Sequence, residues 1–239
     1  MFWWCVVSTV LLRLIGPLQS WGIQSRFGDR DTQLEPTKSG VIGIIAAALG
    51  MSRDDDAMLA RLRMCTMAVR IDHEGQRMRD YHVTGGGTFR NQPYGVWESD
   101  GFHGKTVLSD RYYVTDAAYH VALTYQETSL ASEICAALQQ PVFPLFLGRR
   151  SCPPAVPIGC GKILTGSAIE ALDNWPLDTS FVKDIPATVR MVVECAANEG
   201  RMCADVPLSF TSQGRRFGVR YVKNIWRDRA LFPKSEVSA

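Results

Sequence analysis

The run from Cys5 to Ile15 constrains this chain more than any other segment. It is apolar apart from Ser8, Thr9 and Arg13, and Gly16-Pro17 ends it. A continuous apolar run of this length, bounded by turn residues, reads as a strand buried on both faces in the middle of a sheet. Its Val and Thr residues favour a pleated surface, and it is too short to cross a bilayer as a helix. The apolar stretch from Phe2 to Leu12 has the look of a signal-peptide core. However, no basic residue precedes it, no small-residue cleavage site follows it, and Arg13 interrupts it. The chain also contains no Asn-x-Ser/Thr acceptor. Its seven cysteines are an odd number without a Cys-x-x-Cys pair, and Cys5 and Cys135 read as core thiols. These features point to a reducing cytoplasm and no membrane. No metal site is expected, because the cysteine spacings are too wide and no histidine follows His120. No cofactor is expected either.

Composition allows a substantial core: 46% of 239 residues are hydrophobic and 21% charged. The length fits one large domain or a domain with a small companion. A net charge of +2 is low for a protein that coats nucleic acid, but an overall balance leaves room for a local basic patch.

Along the chain, a polar loop from Gln19 to Lys38 carries Arg26, Arg30 and Lys38. A helix is expected over Ser39–Leu49, capped by Ser39 and stopped at Gly50. Gly40 and Gly43 inside it imply close backbone packing. A second helix, capped by Ser52, is expected over Asp54–Arg63. Thr66–Asp72 reads as a strand and Tyr112–Tyr125 as another. Between them, residues 74–110 are polar and glycine-rich and read as a long excursion from the core. Leu130, Ile134 and Leu138 mark a helix over Thr128–Gln140. Further on, Ile163–Leu172 suggests a short helix, and Val189–Cys195 and Phe217–Val222 suggest strands. The resulting order of strands and helices resembles a ferredoxin-like α+β layout.

Some motifs fail on inspection. Gly101-Phe-His-Gly-Lys105-Thr106 ends like a phosphate-binding loop, yet the glycine needed at position 99 is Ser99. Gly85-Gly86-Gly87 does not complete a dinucleotide fingerprint, since position 90 is Arg. The informative segments place cations beside glycine or aromatic residues. Gly148-Arg149-Arg150-Ser151 offers two guanidiniums and a hydroxyl to phosphate oxygens; a solvated turn is the competing reading. Arg79-Asp80-Tyr81-His82 combines a cation, a stacking ring and an imidazole, as single-stranded RNA sites do. The same residues could instead cleave RNA, with Tyr81 or His82 as general base, or Tyr81 could pack on the body. On a strand, Arg111 and Tyr113 face one way and Tyr112 the other. Thr37-Lys38-Ser39 opens a helix and suits either an anion or plain capping. Arg215, Arg216 and Arg220 form a further basic cluster.

Several of these segments resemble, in order, the CasD family of the RAMP superfamily, a subunit of type I-E CRISPR Cascade. They are Leu14-Ile-Gly-Pro-Leu-Gln-Ser-Trp-Gly22, Pro36-Thr-Lys-Ser-Gly-Val-Ile-Gly43, Ala68-Val-Arg-Ile-Asp72, Arg79-Asp-Tyr-His82, Arg111-Tyr-Tyr113 with Asp116-Ala117, and Pro144-Leu-Phe-Leu-Gly-Arg-Arg-Ser-Cys-Pro153. The resemblance spans about residues 5–160. It implies a ferredoxin-like, RRM-related core over residues 1–157, with a long β-hairpin thumb at about 74–110. A smaller β-rich part, 158–239, would pack on the same core. It also implies a non-catalytic subunit that caps the 5′ handle of the guide RNA (crRNA). That subunit joins the Cascade backbone subunit to the large PAM-sensing subunit, and reaches target DNA only through the complex. Handle binding would fall to Gln19, Ser20, Trp21, Arg26, Lys38, Ser39, Arg79, Tyr81, His82, Arg111, Tyr112, Arg149, Arg150 and Ser151. Relatives that cleave RNA keep open an alternative, a metal-free endoribonuclease using Tyr81 and His82. A third reading is a protein-interaction subunit whose RNA contacts are incidental.

Overall fold

The computed structural model of the chain describes residues 7–23, 28–86, 88–89, 92–93, 96–97, 103–179, 186–211 and 214–233. The first half runs β1 (Ser8–Ile15), β2 (Leu18–Gln19), β3 (Asp29–Arg30), α1 (Lys38–Ala48), α2 (Asp56–Leu62), β4 (Thr66–His73) and β5 (Gln76–Thr84). Four short strands follow: β6 (Thr88–Phe89), β7 (Gln92–Pro93), β8 (Val96–Trp97) and β9 (His103–Lys105). Then come β10 (Val107–Thr115), β11 (Ala118–Tyr125), α3 (Thr128–Gln139), β12 (Gly159–Thr165), α4 (Ala168–Asp173), β13 (Thr188–Glu194), β14 (Arg201–Ser209) and β15 (Arg216–Asp228).

The architecture is α+β. Seven strands form one antiparallel sheet in the order β12-β1-β11-β4-β13-β15-β14. Within it β1, α1, β4, β11, α3 and β12 make a strand-helix-strand-strand-helix-strand unit whose sheet order is β12-β1-β11-β4. As its apolar run predicts, β1 is interior, and Val10, Leu11, Leu12 and Leu14 are buried on both faces; Cys5 lies outside the described residues. The expected division at 157/158 falls just ahead of β12, which pairs with β1. Beyond it, β13–β15 extend the same sheet from the edge of β4.

One sheet face packs on α1, α2 and α3. The buried stripe of α1, Val41, Ile42, Ile44, Ile45 and Ala48, meets Leu12, Leu14, Val69 and Val121. Each such aliphatic side chain contributes about 1.5–3 kcal/mol when fully buried. Thr37, rather than Ser39, caps α1, accepting from Gly40 N at 3.2 Å. Asp55, rather than Ser52, caps α2. Gly40 is required by packing, since a Cβ there would stand 2.9 Å from the Trp21 ring; at Gly43 nothing lies within 4 Å. The expected strand Tyr112–Tyr125 is two strands, because Asp116 turns the chain with φ 54°. Ile163–Leu172 divides between β12 and the shorter α4, whose start is fixed by the Ser167/Glu170 capping box.

The other sheet face is closed by α4 and the segment that follows it. Arg70, fully buried, pairs in two places with Asp72 (2.7 and 3.0 Å). It also donates to the carbonyls of Leu172, Trp175 and Pro176, capping the end of α4. Asp72 also accepts from Asp178 N at 2.7 Å and lies 2.9 Å from His120 Nδ1. Burial pushes the Asp72 carboxyl up, but Arg70 and His120 outweigh it and hold its pKa at about 2. A carboxylate whose pKa is lowered on folding stabilises the fold above its unfolded pKa, 3.8, and loses that contribution as pH falls through about 2. We therefore expect thermal unfolding to shift downward between pH 5 and pH 2, with about 2 kcal/mol assignable to this residue. Asp72→Asn should flatten that dependence and cost about 3–5 kcal/mol at pH 7. Differential scanning calorimetry across the pH series checks both.

Candidate nucleic-acid interface

A second, smaller sheet stands beside the main one. Its central strand is β10, which pairs antiparallel with β2 and β5 and parallel with β3. Every β5 residue is exposed or half-exposed, whereas β10 is exposed at Val107 and Leu108 and buried at Ser109, Tyr113 and Val114. This pair begins the expected excursion. Gly87, Arg90, Gly101 and Phe102, part of the failed motifs, lie outside the described residues.

Register divides the candidate residues between the two faces, because directly opposed residues in an antiparallel pair share a face. On one face Tyr81 lies opposite Asp110 and Arg79 opposite Tyr112. Tyr81 is 59% exposed. The cations here are already matched: Arg79 pairs with Asp110 at 2.8 Å, and Arg77 pairs with Asp31 at 2.6 Å while stacking over the Tyr112 ring. On the other face His82 lies opposite Ser109, and Asp80 opposite Arg111. Arg111 donates to Ser109 Oγ at 3.2 Å, and Arg30 sits beside it in parallel register. Tyr81 and His82 thus point to opposite sides of the strand.

The Gly148-Arg149-Arg150-Ser151 turn packs against this second face. Gly148 has φ +95°, and a Cβ there would lie 1.8 Å from Ser20 O. Only glycine tolerates both the left-handed backbone and the approach. Ser20 N donates to Leu147 O at 2.9 Å, completing the junction. Arg149 and Arg150 then diverge. The Arg149 guanidinium donates to the carbonyls of Tyr112 (3.0 Å) and Arg30 (2.7 Å) and lies over the Tyr113 ring. It clamps β3 and β10 to the turn. Arg150 is exposed and has no partner among the described residues. Ser151 Oγ reaches Tyr113 OH at 3.4 Å. Arg30, Arg111 and His82 thereby share one face, with Ser151 against its Tyr113 and Arg150 exposed on the adjoining turn. Arg30 belongs to this group although its polar-loop context gave no specific sign of it.

Other expected contacts turn inward. Gln19 is fully buried: its amide donates to Leu14 O and Ala117 O and accepts from Trp21 Nε1. Trp21 is buried against Gly40, and Ser20 is 5% exposed. These three build the junction beneath the Gly148 turn, and their side chains have no open route to a ligand. Lys38 is corrected similarly. Its Nζ donates to Cys65 O and pairs with Glu194 at 3.0 Å, while its backbone N–H donates to Asp205. The anion at the start of α1 is therefore the chain's own carboxylate. Asp205 also takes a two-point contact from Arg220, which removes Arg220 from the expected basic cluster. Burial raises the Asp205 pKa, and Arg220 with the Lys38 N–H more than reverses that. Ser39 is half-buried on the first turn of α1. Arg26 lies outside the described residues.

The part of the large sheet beneath α4 offers no second platform for bases, although β15 at the sheet's far side exposes Trp226 and Phe217. The face beneath α4 carries buried Leu11, Ala68, Ala122 and Met191 rather than the open aromatic surface that stacks bases. The Asp72–His120 pair resembles the orienting half of a catalytic triad, but His120 is 2% exposed. Burial pushes the Cys160 thiol up to about 12, despite nearby Arg13 and Arg70, so this is no thiolate nucleophile. Among the described residues no group of His, Cys, Asp and Glu could hold a metal ion. No described helix is long and apolar enough to cross a membrane.

Comparison with known proteins follows this geometry. The family model for the CRISPR-associated protein Cas5 matches residues 9–223. The CRISPR system Cascade subunit CasD of Escherichia coli K12 is 35% identical over 179 residues, covering 70% of this chain and 77% of that protein. A chain of a CRISPR RNA-guided surveillance complex matches with TM-score 0.76 and 30% identity, covering 95% of each chain. A crystal structure of a Cas protein matches with TM-score 0.71 and 33% identity, covering 95% of this chain and 98% of that one.

The two arginines of the turn should separate on mutation. Arg150→Ala should leave the melting temperature unchanged, weaken RNA binding by about 1.5–3 kcal/mol and reduce the salt dependence by about one phosphate contact. Arg149→Ala and Gly148→Ala should both lower the melting temperature as well as affinity. Salt-titrated binding isotherms beside thermal melts distinguish these outcomes.

Proposed function

We propose, on the premise that this chain belongs to the CRISPR-associated Cas5 family, that it is the RNA-binding, non-catalytic subunit of a Cascade-type effector, seated on the 5′ handle of the guide RNA. In this reading the unit β1-α1-β4-β11-α3-β12 is the ferredoxin-like RAMP core, and the pair β5–β10 is the root of its thumb. The C-terminal part 158–239 adds strands to the core, with β12 counted into the core's sheet. The observation that carries the reading is the placement of Arg30, Arg111 and His82 on one face of the small sheet, with the Gly148 turn seated against that face through Arg149 and Ser151 and Arg150 exposed on the turn. Guanidiniums fix phosphate oxygens by charge-assisted hydrogen bonds. Tyr81, with Arg79 and Tyr112 on the opposite face, supplies a ring on which a splayed base can stack. Ser39, and Arg26 outside the described residues, remain proposed contacts. The low net charge of +2 fits a protein that holds a short RNA segment and meets protein elsewhere. Its partners are then the guide RNA, the backbone subunit and the large PAM-sensing subunit, with target DNA reached through base pairing by the guide, in the cytoplasm.

The separation of Tyr81 from His82 across the strand favours capture over cleavage, since a general base and its assisting groups must reach one scissile phosphate. Incubating the purified chain with labelled repeat RNA and mature handle RNA in EDTA tests this. Binding without cleavage is expected, with loss of affinity on Arg111→Ala and Arg150→Ala together. Specific cleavage abolished by His82→Ala would overturn the capture reading. Handle affinity unmoved by the double change would favour an interaction subunit with incidental RNA contacts.

A further inference from the structure

A groove at the far end of α1 has no part in the RNA reading. Leu49, Met51 and Met58 form its floor, Asp55, Arg61 and Glu133 stand on its rim, and its volume is about 430 Å³. It opens between the end of α1, the start of α2 and the middle of α3. The arginine face is reached from the other end of α1, where Gly40 packs on Trp21. Eleven helical residues put about 16 Å between the two ends.

The chemistry of the groove differs from that of the arginine face. Arg61 is already held by Glu127 at 2.5 Å, while Asp55 serves as the cap of α2 and is exposed. Neither Arg53 nor Arg63 lines the groove. The rim therefore carries a surplus of carboxylate, which repels phosphate. The floor is apolar and contains two methionines, whose flexible thioethers adapt to varied side chains. Beside it the exposed apolar surface continues. Val142, 63% exposed, packs on Gly50 and donates its N–H to Ala48 O, and neighbouring Phe143 is 52% exposed. An apolar floor continuous with exposed aliphatic and aromatic side chains, inside a polar rim, is how protein-binding patches are built.

We propose that this groove docks an amphipathic segment of a neighbouring protein in the ribonucleoprotein. That segment places an aliphatic or aromatic anchor on Leu49, Met51 and Met58 and flanks it with lysine or arginine facing Asp55 and Glu133. The choice of a protein neighbour rests on the function proposed above; the acidic rim and apolar floor do not.

The test uses the full chain assembled with its own effector subunits and guide RNA. A photo-crosslinking amino acid replaces Ala57, which is exposed in the groove wall. A control chain carries it in place of Arg150. The Ala57 probe should crosslink to one protein subunit at a segment combining apolar residues with Lys or Arg, and the Arg150 probe should crosslink to RNA. Glu133→Lys with Ala57→Lys should reduce incorporation of the chain into the complex by about tenfold, with handle affinity and melting temperature of the isolated chain unchanged. Crosslinking of the Ala57 probe to RNA or to a second copy of this chain would overturn the proposal. So would absence of any crosslink in an assembled complex, or unchanged incorporation of the double variant. Failure of the Arg150 probe to reach RNA would count against the function proposed above and leave the groove result to be read separately.

Discussion

Residue 148 has room for a hydrogen and for no carbon, because Ser20 O occupies the place where a Cβ would go. That contact fixes the turn 147–152 to the end of β2, and much of the candidate site follows from it. Leu147 O accepts from Ser20 N, and Gln19, one residue earlier, ties β1 to the start of β11 through Leu14 O and Ala117 O. The turn can then aim Arg149 back at β3 and β10 and leave Arg150 outside. One glycine, one buried glutamine and one arginine thus hold two strands and the backbone of a turn in a single arrangement, while the Arg150 guanidinium has no partner among the described residues. Groups held this way lose little freedom when a ligand arrives, which is the advantage of a preorganised site.

Charge is distributed to match that division. Many cations of the chain are engaged internally: Lys38 and Arg220 close a ring with Glu194 and Asp205, Arg190 joins Glu35 and Glu74, and Arg70 is locked on Asp72. Buried pairs of this kind specify position more than they add stability. They also explain how a chain of nearly balanced charge can present a local basic face: what matters is which guanidiniums remain unmatched. Arg30, beside Arg111, and Arg150 on the turn have no carboxylate partner among the described residues, whereas Arg77 and Arg79 carry their own. The same locking of Arg70 under α4 closes the face of the large sheet over β1, β11 and β4.

Elements with strong local signals were legible in the sequence. The apolar run of β1, the alternation of β4 and the helical spacing of Leu130, Ile134 and Leu138 each predicted the element that is present, within a few residues. Errors arose where tertiary contacts decide. Ser39 looked like a cap, but Thr37 occupies that position. The turn at Asp116 interrupts what reads as one continuous strand. The edge strand β14 escaped notice because Pro207 and a mixed pattern mask it, although an edge tolerates proline. Of the residues that motif reading proposed for the ligand, Arg79, Tyr81, His82, Arg111, Arg150 and Ser151 lie on or beside the small sheet, whereas Gln19, Trp21, Lys38 and Arg149 are engaged by the protein itself. Composition cannot distinguish a guanidinium aimed at a carbonyl from one aimed at solvent. That distinction comes from register and burial, and register also brings Arg30 beside Arg111.

Hydrogen exchange of backbone amides with and without handle RNA tests the central claim most directly, because it reports every described strand at once. RNA should slow exchange in residues 28–31, 79–84, 107–113 and 148–152 and leave β13–β15 unchanged. Protection confined to β13–β15 or to α4, with the Gly148 turn exchanging as in the free chain, would contradict the account.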